Sequence, residues 1–369
     1  MISGVKLARF GILVLISLLF QQNIFGQEEL SKDSAEFKSV GVLAFPTFGY
    51  EPETSVYTGA AAFFTLHLFK DTLQRPSNAD LEFTYTLNRQ SILDANWTLL
   101  FKEEKFILIG ANSVRKFPEY FWGIGNNVAQ SDSEIVSSNR IELTNIFLKQ
   151  VRPKVFIGIK QRLQHMYNVE YDPNGTFYNT NVPGKQGGPS SGIGYVLNYD
   201  SRDHLLTPSE GSYIWFSNTF FLYVLGSAFS FNNYEFEARK YIQVRKVDVL
   251  ALQTFNQFNF GTVPVRMLSL MGSDSDMRGY YRGQYRDKQY ITFQAEYRMN
   301  IYKRWGITAF SGVGQVASKI KDLAFDRFKP SVGGGIRFMI DREDYVNARV
   351  DFAWGKNTSG FYIAFAEAF

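Results

Sequence analysis

The chain has no cysteine and only three histidines. Without cysteine there is neither a disulfide framework nor a thiolate metal centre, and no metal or other cofactor is expected. Charge of one sign is also missing. Lys and Arg number 39 against 35 Asp and Glu, a net +4 that would fall to +2 if Lys6 and Arg9 left with a leader. A nucleic-acid partner is therefore not expected. Long apolar runs are scarce too: Phe10 to Phe20 (FGILVLISLLF) is the longest near the start, short of the about 20 residues that a spanning helix needs.

What is present begins with a targeting pattern. Lys6 and Arg9 precede that apolar run, and Asn23-Ile24-Phe25-Gly26 leads into a polar stretch. Residues 1–26 are expected to be a cleaved secretory signal peptide. Residues 27–39 (QEELSKDSAEFKS) form a short polar segment, too short for a βαβ unit of about 30 residues. Residues 40–369 are expected to be one domain. Phe (35) and Tyr (21) lift the aromatic share to 17% while mean hydropathy stays at −0.17. A soluble exported protein and a membrane β-barrel both satisfy those averages, so periodicity has to decide.

From Ile291 to Ile301 the chain alternates strictly: Ile291, Phe293, Ala295, Tyr297, Met299 and Ile301 against Thr292, Gln294, Glu296, Arg298 and Asn300. An extended chain turns these two sets to opposite faces. The pattern recurs at 81–88 and 346–354. Breaking such runs at turn signals predicts about sixteen strands between 40 and 369. The long connections, 117–136, 167–189, 261–287 and 318–329, all fall at one end, with only 70–78 and 201–210 of middling length at the other, as in outer-membrane barrels. The expected fold is all-β, a transmembrane antiparallel β-barrel. Its last strand, 359–369, is expected to pair with the first near Val40 to Phe48, because closure removes the sheet edges.

The stretch Leu270 to Gly283 (LMGSDSDMRGYYRG) lies in the sixth long-end loop, with the strand QYITFQAEYRMNI following it. With FPEYFWGIGNN (117–127), GIGYVLNYDSRDHLLTPSEGSYIWFS (192–217) and PTFGYEPETSVYTGAAAFF (46–64), this resembles the BamA/TamA-type outer-membrane barrel superfamily (bacterial surface antigen family). The chain looks like a short member without periplasmic repeat domains. The resemblance implies sixteen strands and a sixth loop folded into the lumen, where Arg278, Gly279 and Tyr280 would contact the wall. Phe310-Ser311-Gly312-Val313-Gly314 stands where the family often has Phe-x-Asp-x-Gly, so the aspartate expected there is absent. Phe369 resembles the C-terminal signal read by barrel-assembly machinery, although Glu367 departs from its apolar pattern.

Glu296 falls on the polar face of its strand, so it is the expected partner of an inward-folded Arg278, as a charge in a restricted lumen needs compensation. A solvent-exposed Arg278 is the alternative that spacing alone leaves open. Gly312, Gly314 and Gly333 to Gly335 would either make room for the loop or curve the sheet. Phe310, Gly312 and Gly314 are the expected lumen wall beside it. Asp274 and Asp276 make a D-x-D, read as loop solvation rather than a calcium site, which takes 6–8 oxygens. Gly188-Pro189-Ser190-Ser191-Gly192 matches G-x-S-x-G in a Gly-rich loop, without the strand-to-helix elbow that chemistry requires. No enzyme is expected.

The resemblance implies a barrel that assists insertion or translocation of proteins or lipids at the bacterial outer membrane. Outer-membrane lipids and lipopolysaccharide would surround it, and barrel-assembly machinery would serve its biogenesis. With no repeats of its own it would need a separate periplasmic partner. A passive pore or transporter is the alternative, and an outer-membrane lipid hydrolase a third.

Overall fold

The computed structural model describes residues 40–51, 55–66, 77–102, 104–245, 247–341 and 346–369. The expected signal peptide and polar segment lie outside them. Sixteen strands run in chain order, each antiparallel to the next. They are β1 (Val40–Glu51), β2 (Ser55–Leu66), β3 (Ser77–Thr86), β4 (Ser91–Phe101), β5 (Phe106–Lys116), β6 (Glu134–Arg152), β7 (Val155–Glu170) and β8 (Gly188–Asp200). The second half is β9 (Gly211–Phe221), β10 (Phe231–Gln243), β11 (Val249–Gly261), β12 (Gln289–Tyr302), β13 (Trp305–Ala317), β14 (Lys329–Asp341), β15 (Val346–Gly355) and β16 (Thr358–Phe365). Together they form a nearly closed barrel, the fold the two-residue period predicted.

The two faces are inverted relative to a water-soluble protein. On β12, Glu296 is 0% exposed while Phe293, on the opposite face, is 51% exposed. Phe83, Tyr195, Ile336 and Phe352 likewise stand outward, while Lys160, Arg337, Arg349 and Asp351 are buried within. Ionised side chains are almost never fully buried unless paired. Such a wall suits hydrocarbon outside and a polar lumen inside.

The seam departs from expectation. A ladder joins every consecutive pair of strands, but none is described between β1 and β16. The rings of Tyr50 and Phe361 meet across that line, with centroids 5.9 Å apart. The last strand also stops at Phe365 rather than Phe369. The Ala366 N–H still donates to Asn347 O at 2.7 Å, but Ala366 adopts φ +62°. That left-handed turn, costly for a residue with a Cβ, aims the following residues into the lumen. Phe369 is buried there against Tyr241 and Val249, and its carbonyl accepts a 2.7 Å bond from Arg298 Nη2. Glu367 meets Arg337 Nε at 2.8 Å and Asn347 Nδ2 at 2.8 Å. An acidic residue in this segment is thus compatible with the fold, because the segment does not face lipid.

The long connections gather at one end. Residues 117–133 add a short strand, Glu119–Phe121, that extends the sheet beside β6, and Gly125 forms a bridge to Arg286 of the sixth loop. Phe121, Val136, Phe177, Phe221, Phe231, Val263 and Met267 pack into an apolar cap over that end. Glu119 sits beneath, within 3.3 Å of Arg140 Nη2 and in contact with Arg266 and Arg286.

Candidate functional site: the sixth loop and the lumen wall

Residues 262–288 leave β11, form a small hairpin of Ser269–Leu270 against Arg286–Asp287, and drop their tip into the barrel. Within the tip the Ser273 hydroxyl accepts the N–H groups of Ser275 (3.1 Å) and Asp276 (2.8 Å), and the Ser273 N–H donates to Asp276 O at 2.7 Å. This self-bonded turn delivers Met277, Arg278, Gly279 and Tyr280 to the wall, all four buried.

Arg278 is 1% exposed. Its Nη2 donates to Glu296 Oε2 of β12 at 2.6 Å and its Nη1 to Asp351 Oδ2 of β15 at 2.6 Å. Its guanidinium plane lies 3.4 Å over the Phe310 ring of β13, a cation–π contact strengthened by desolvation. Ser331 donates to its carbonyl. Gly279, at φ +99°, presses against the Trp354 backbone and gives its N–H to Tyr362 Oη at 2.9 Å. The Tyr280 hydroxyl donates to Pro330 O at 2.6 Å and accepts the Lys356 N–H at 2.8 Å. Loop contacts therefore reach from β12 to β16.

The wall glycines do separate jobs. Gly312 and Gly314 leave the space that the Met277 side chain enters, since a Cβ there would come within 3.0–3.4 Å of it. Gly333 clears room for the Phe310 ring and Gly335 for the Asp351 carboxylate, whereas a Cβ on Gly334 would meet only the Thr308 carbonyl. Making room for the loop accounts for the first pair directly and for Gly333 and Gly335 through its partners.

The carboxylate missing from the Phe310 motif is supplied by Asp351. Asp351 belongs to the polar set of the 346–354 alternation, which by itself does not pair it with Arg278. The usable signal was the run Arg349-Val350-Asp351, a charged pair at spacing two on one face of a strand. Around the two acids stand three more arginines. Arg298 Nε is 2.7 Å from Glu296, Arg337 Nη1 is 2.6 Å from Asp351, and Arg349 Nη1 is 2.9 Å from Asp351. Glu367 and Asp274 complete the set, the latter 2.6 Å from Arg349 Nη2. Four cations thus face four anions, so the buried charges are compensated. Arg298 Nη1 also reaches Pro208 O at 3.3 Å, which ties the 201–210 turn to the same cluster.

The D-x-D expectation needs correction. Asp274 forms the ion pair just named. Asp276 is half-buried, and Tyr290 Oη donates to its Oδ2 at 2.5 Å. Among the described residues no acidic or histidine group could hold a metal. Burial, aided by the nearby charge of Glu237, pushes the Asp276 carboxyl up to about 7 against the Tyr290 hydrogen bond. A raised folded pKa means that the docked loop binds a proton that the free loop releases. Its stabilisation is complete below the free value near 4 and is lost as pH rises through about 7. Protease nicking within 262–288 is expected to be slower at pH 5 than at pH 8, and Asp276→Asn is expected to flatten that difference. An equal pH dependence in the variant would contradict the assignment.

The G-x-S-x-G expectation also shifts. Gly188 to Gly192 open β8 rather than lie in a loop. Ser190 is buried opposite Gln164, and His165 pairs with Pro189 on the other face. No nucleophile elbow is formed there.

The Omp85 superfamily domain matches residues 73–369. Among solved structures, BamA from Haemophilus ducreyi lacking POTRA domains 1–3 superposes with TM-score 0.60 at 13% identity, over 90% of this chain and 70% of that one. CdiB from Escherichia coli gives 0.59 at 9%, over 90% and 63%. CdiB from Acinetobacter baumannii gives 0.57 at 9%, over 89% and 60%. The chain therefore spans less than two thirds of either CdiB. Among curated proteins, none matches the sequence.

Proposed function

Because this chain belongs to the Omp85 superfamily, we propose that it is an outer-membrane barrel assisting insertion or translocation of proteins or lipids, without enzymatic chemistry. The observation that carries this reading is the pairing of a fixed sixth loop with an unladdered seam. Arg278 is clamped between Glu296 and Asp351, while Gly279 and Tyr280 bind the Tyr362 hydroxyl and the Lys356 N–H on the β15–β16 side. The loop thereby braces the strand that borders β1. Two strands without a ladder leave backbone groups that a client strand could pair with. Lipids and lipopolysaccharide are the proposed surroundings, and a separate periplasmic protein the proposed recruiter of cargo. A passive pore fits less well, because the loop tip and its charged partners occupy the lumen.

The test uses the absence of native cysteine. Tyr50→Cys with Phe361→Cys, bridged by a short bis-maleimide in cells, is expected to lower the outer-membrane levels of dependent proteins or lipids. Each single variant should leave them unchanged. Normal levels with the bridge in place would contradict an assisting role at the seam.

A further inference from the structure

A concavity of about 870 Å³ lies on the outer wall across β9 to β14. Its floor is made by small side chains, Ala238, Thr254, Ala295 and Ser311, and its banks by larger ones such as Phe293 and Val332. The registers align these residues in cross-strand rows: Ala238 opposite Thr254, Ala295 opposite Ser311, and Ser311 opposite Val332. Residues between them along each strand, Gln253 and Gln294 for example, alternate to the lumen side and give the floor only backbone. The Thr254 hydroxyl is satisfied, donating to Thr292 O at 2.8 Å and accepting from Asn256 Nδ2 at 2.9 Å. Apart from the exposed Ser311, the floor is thus apolar.

The groove has a direction. One end lies at Ser212 and Lys240, the second residue of β9 and the fourth from the end of β10, close to the short-turn rim. The other lies at Val332, the fourth residue of β14, which the registers join to Lys240 in one row through Leu252, Ala295 and Ser311. Six strands at about 4.8 Å spacing give about 24 Å. With strands tilted about 45°, that row descends about 17 Å, near half of the ~30 Å hydrocarbon thickness. One leaflet's acyl chain fits that length.

Lys240 supplies the second, independent observation. It is the one charged side chain that β8 to β16 turn outward among the described residues, and it is exposed, with Nζ 3.1 Å from Ser212 Oγ. Lysine near a membrane interface reaches toward headgroups and attracts anionic lipid. We propose that this groove binds an acyl chain of a phosphate-bearing glycerophospholipid from the leaflet on the short-turn side, with Lys240 on its headgroup. The proposal rests on the membrane-spanning barrel and is independent of any assisting role.

The full chain would be reconstituted in phosphatidylethanolamine vesicles doped with a phosphatidylglycerol carrying a diazirine on one acyl chain, and photo-adducts mapped by peptide. Adducts are expected to concentrate on β10 to β13. Lys240→Ala should reduce them about fivefold, the effect of one interfacial cation, and Lys240→Arg should restore them. Ala295→Leu should remove them by filling the floor, while labelling of β3 to β5 stays constant. Retained heat-modifiable migration shows that each variant is folded, and Ala238→Leu replaces Ala295→Leu if that one is not. Even labelling around the wall, or labelling indifferent to these variants, would overturn the groove. No labelling anywhere would instead overturn the barrel's place in the bilayer.

Discussion

Arg278→Ala is expected to lower the temperature at which the barrel loses its compact, fast-migrating form on gels. The guanidinium bridges Glu296 and Asp351, which are both 0% exposed, and stacks on Phe310. Removing one member of a buried pair costs about 3–5 kcal/mol because the partner charge stays behind. The lower part of that range applies, since Glu296 keeps Arg298 and Asp351 keeps Arg337 and Arg349. Glu296→Gln should act in the same direction, leaving Arg278 and Arg298 short of a counter-charge. Arg278→Lys should recover only part, because an ammonium lacks the planar fork that spans two carboxylates. Parent-like melting of both Arg278→Ala and Glu296→Gln would show that the loop contributes nothing to barrel stability.

Gly279→Ala should undock the loop by a different route, through backbone conformation. At φ +99° this position strains any residue with a side chain, by roughly 1–3 kcal/mol. An added Cβ would also lie 2.9 Å from the Trp354 carbonyl carbon and 3.0 Å from the Gly355 nitrogen, an overpacking that typically costs about another 1–3 kcal/mol. Gly226 gives the control: its φ is +80°, yet an added Cβ there would meet nothing within 4 Å. Gly226→Ala therefore carries the strain without the collision. Faster proteolysis of 262–288 in Gly279→Ala than in Gly226→Ala is the expected result; equal rates would mean that neither the strain at Gly279 nor its close approach to β15 undocks the loop.

The strands were legible because alternation is a local property. The polar set Thr292, Gln294, Glu296 and Arg298 and the apolar set around Phe293 are visible in the sequence before any fold is known. The long connections at one end were legible for the same reason, while 201–210 is a ten-residue connection at the other. The wall partner Asp351 was not connected to Arg278 because 73 residues separate them, and only the β12–β15 curvature brings both to one point. The turn at Ala366 left no trace either. Alanine gives no signal for a positive φ, and the apolar rhythm of Phe361 and Ile363 suggested that the strand continued to Phe369. Glu367 was the clue: an acid in an outward-facing rhythm instead finds Arg337 inside. Asp276 was read as solvated from its polar neighbours in sequence, whereas its environment is set by Tyr290, fourteen residues on.

The central claim is that alternate residues of each strand face hydrocarbon and lumen, and β12 tests it most directly. Single cysteines at Phe293, Gln294, Tyr297 and Thr292, labelled with a small fluorophore in reconstituted vesicles, would be exposed to brominated lipid. Strong quenching at 293 and 297 with little at 292 and 294 is the predicted result. Similar quenching at all four, or none at 293 and 297, would contradict a barrel wall set in the bilayer.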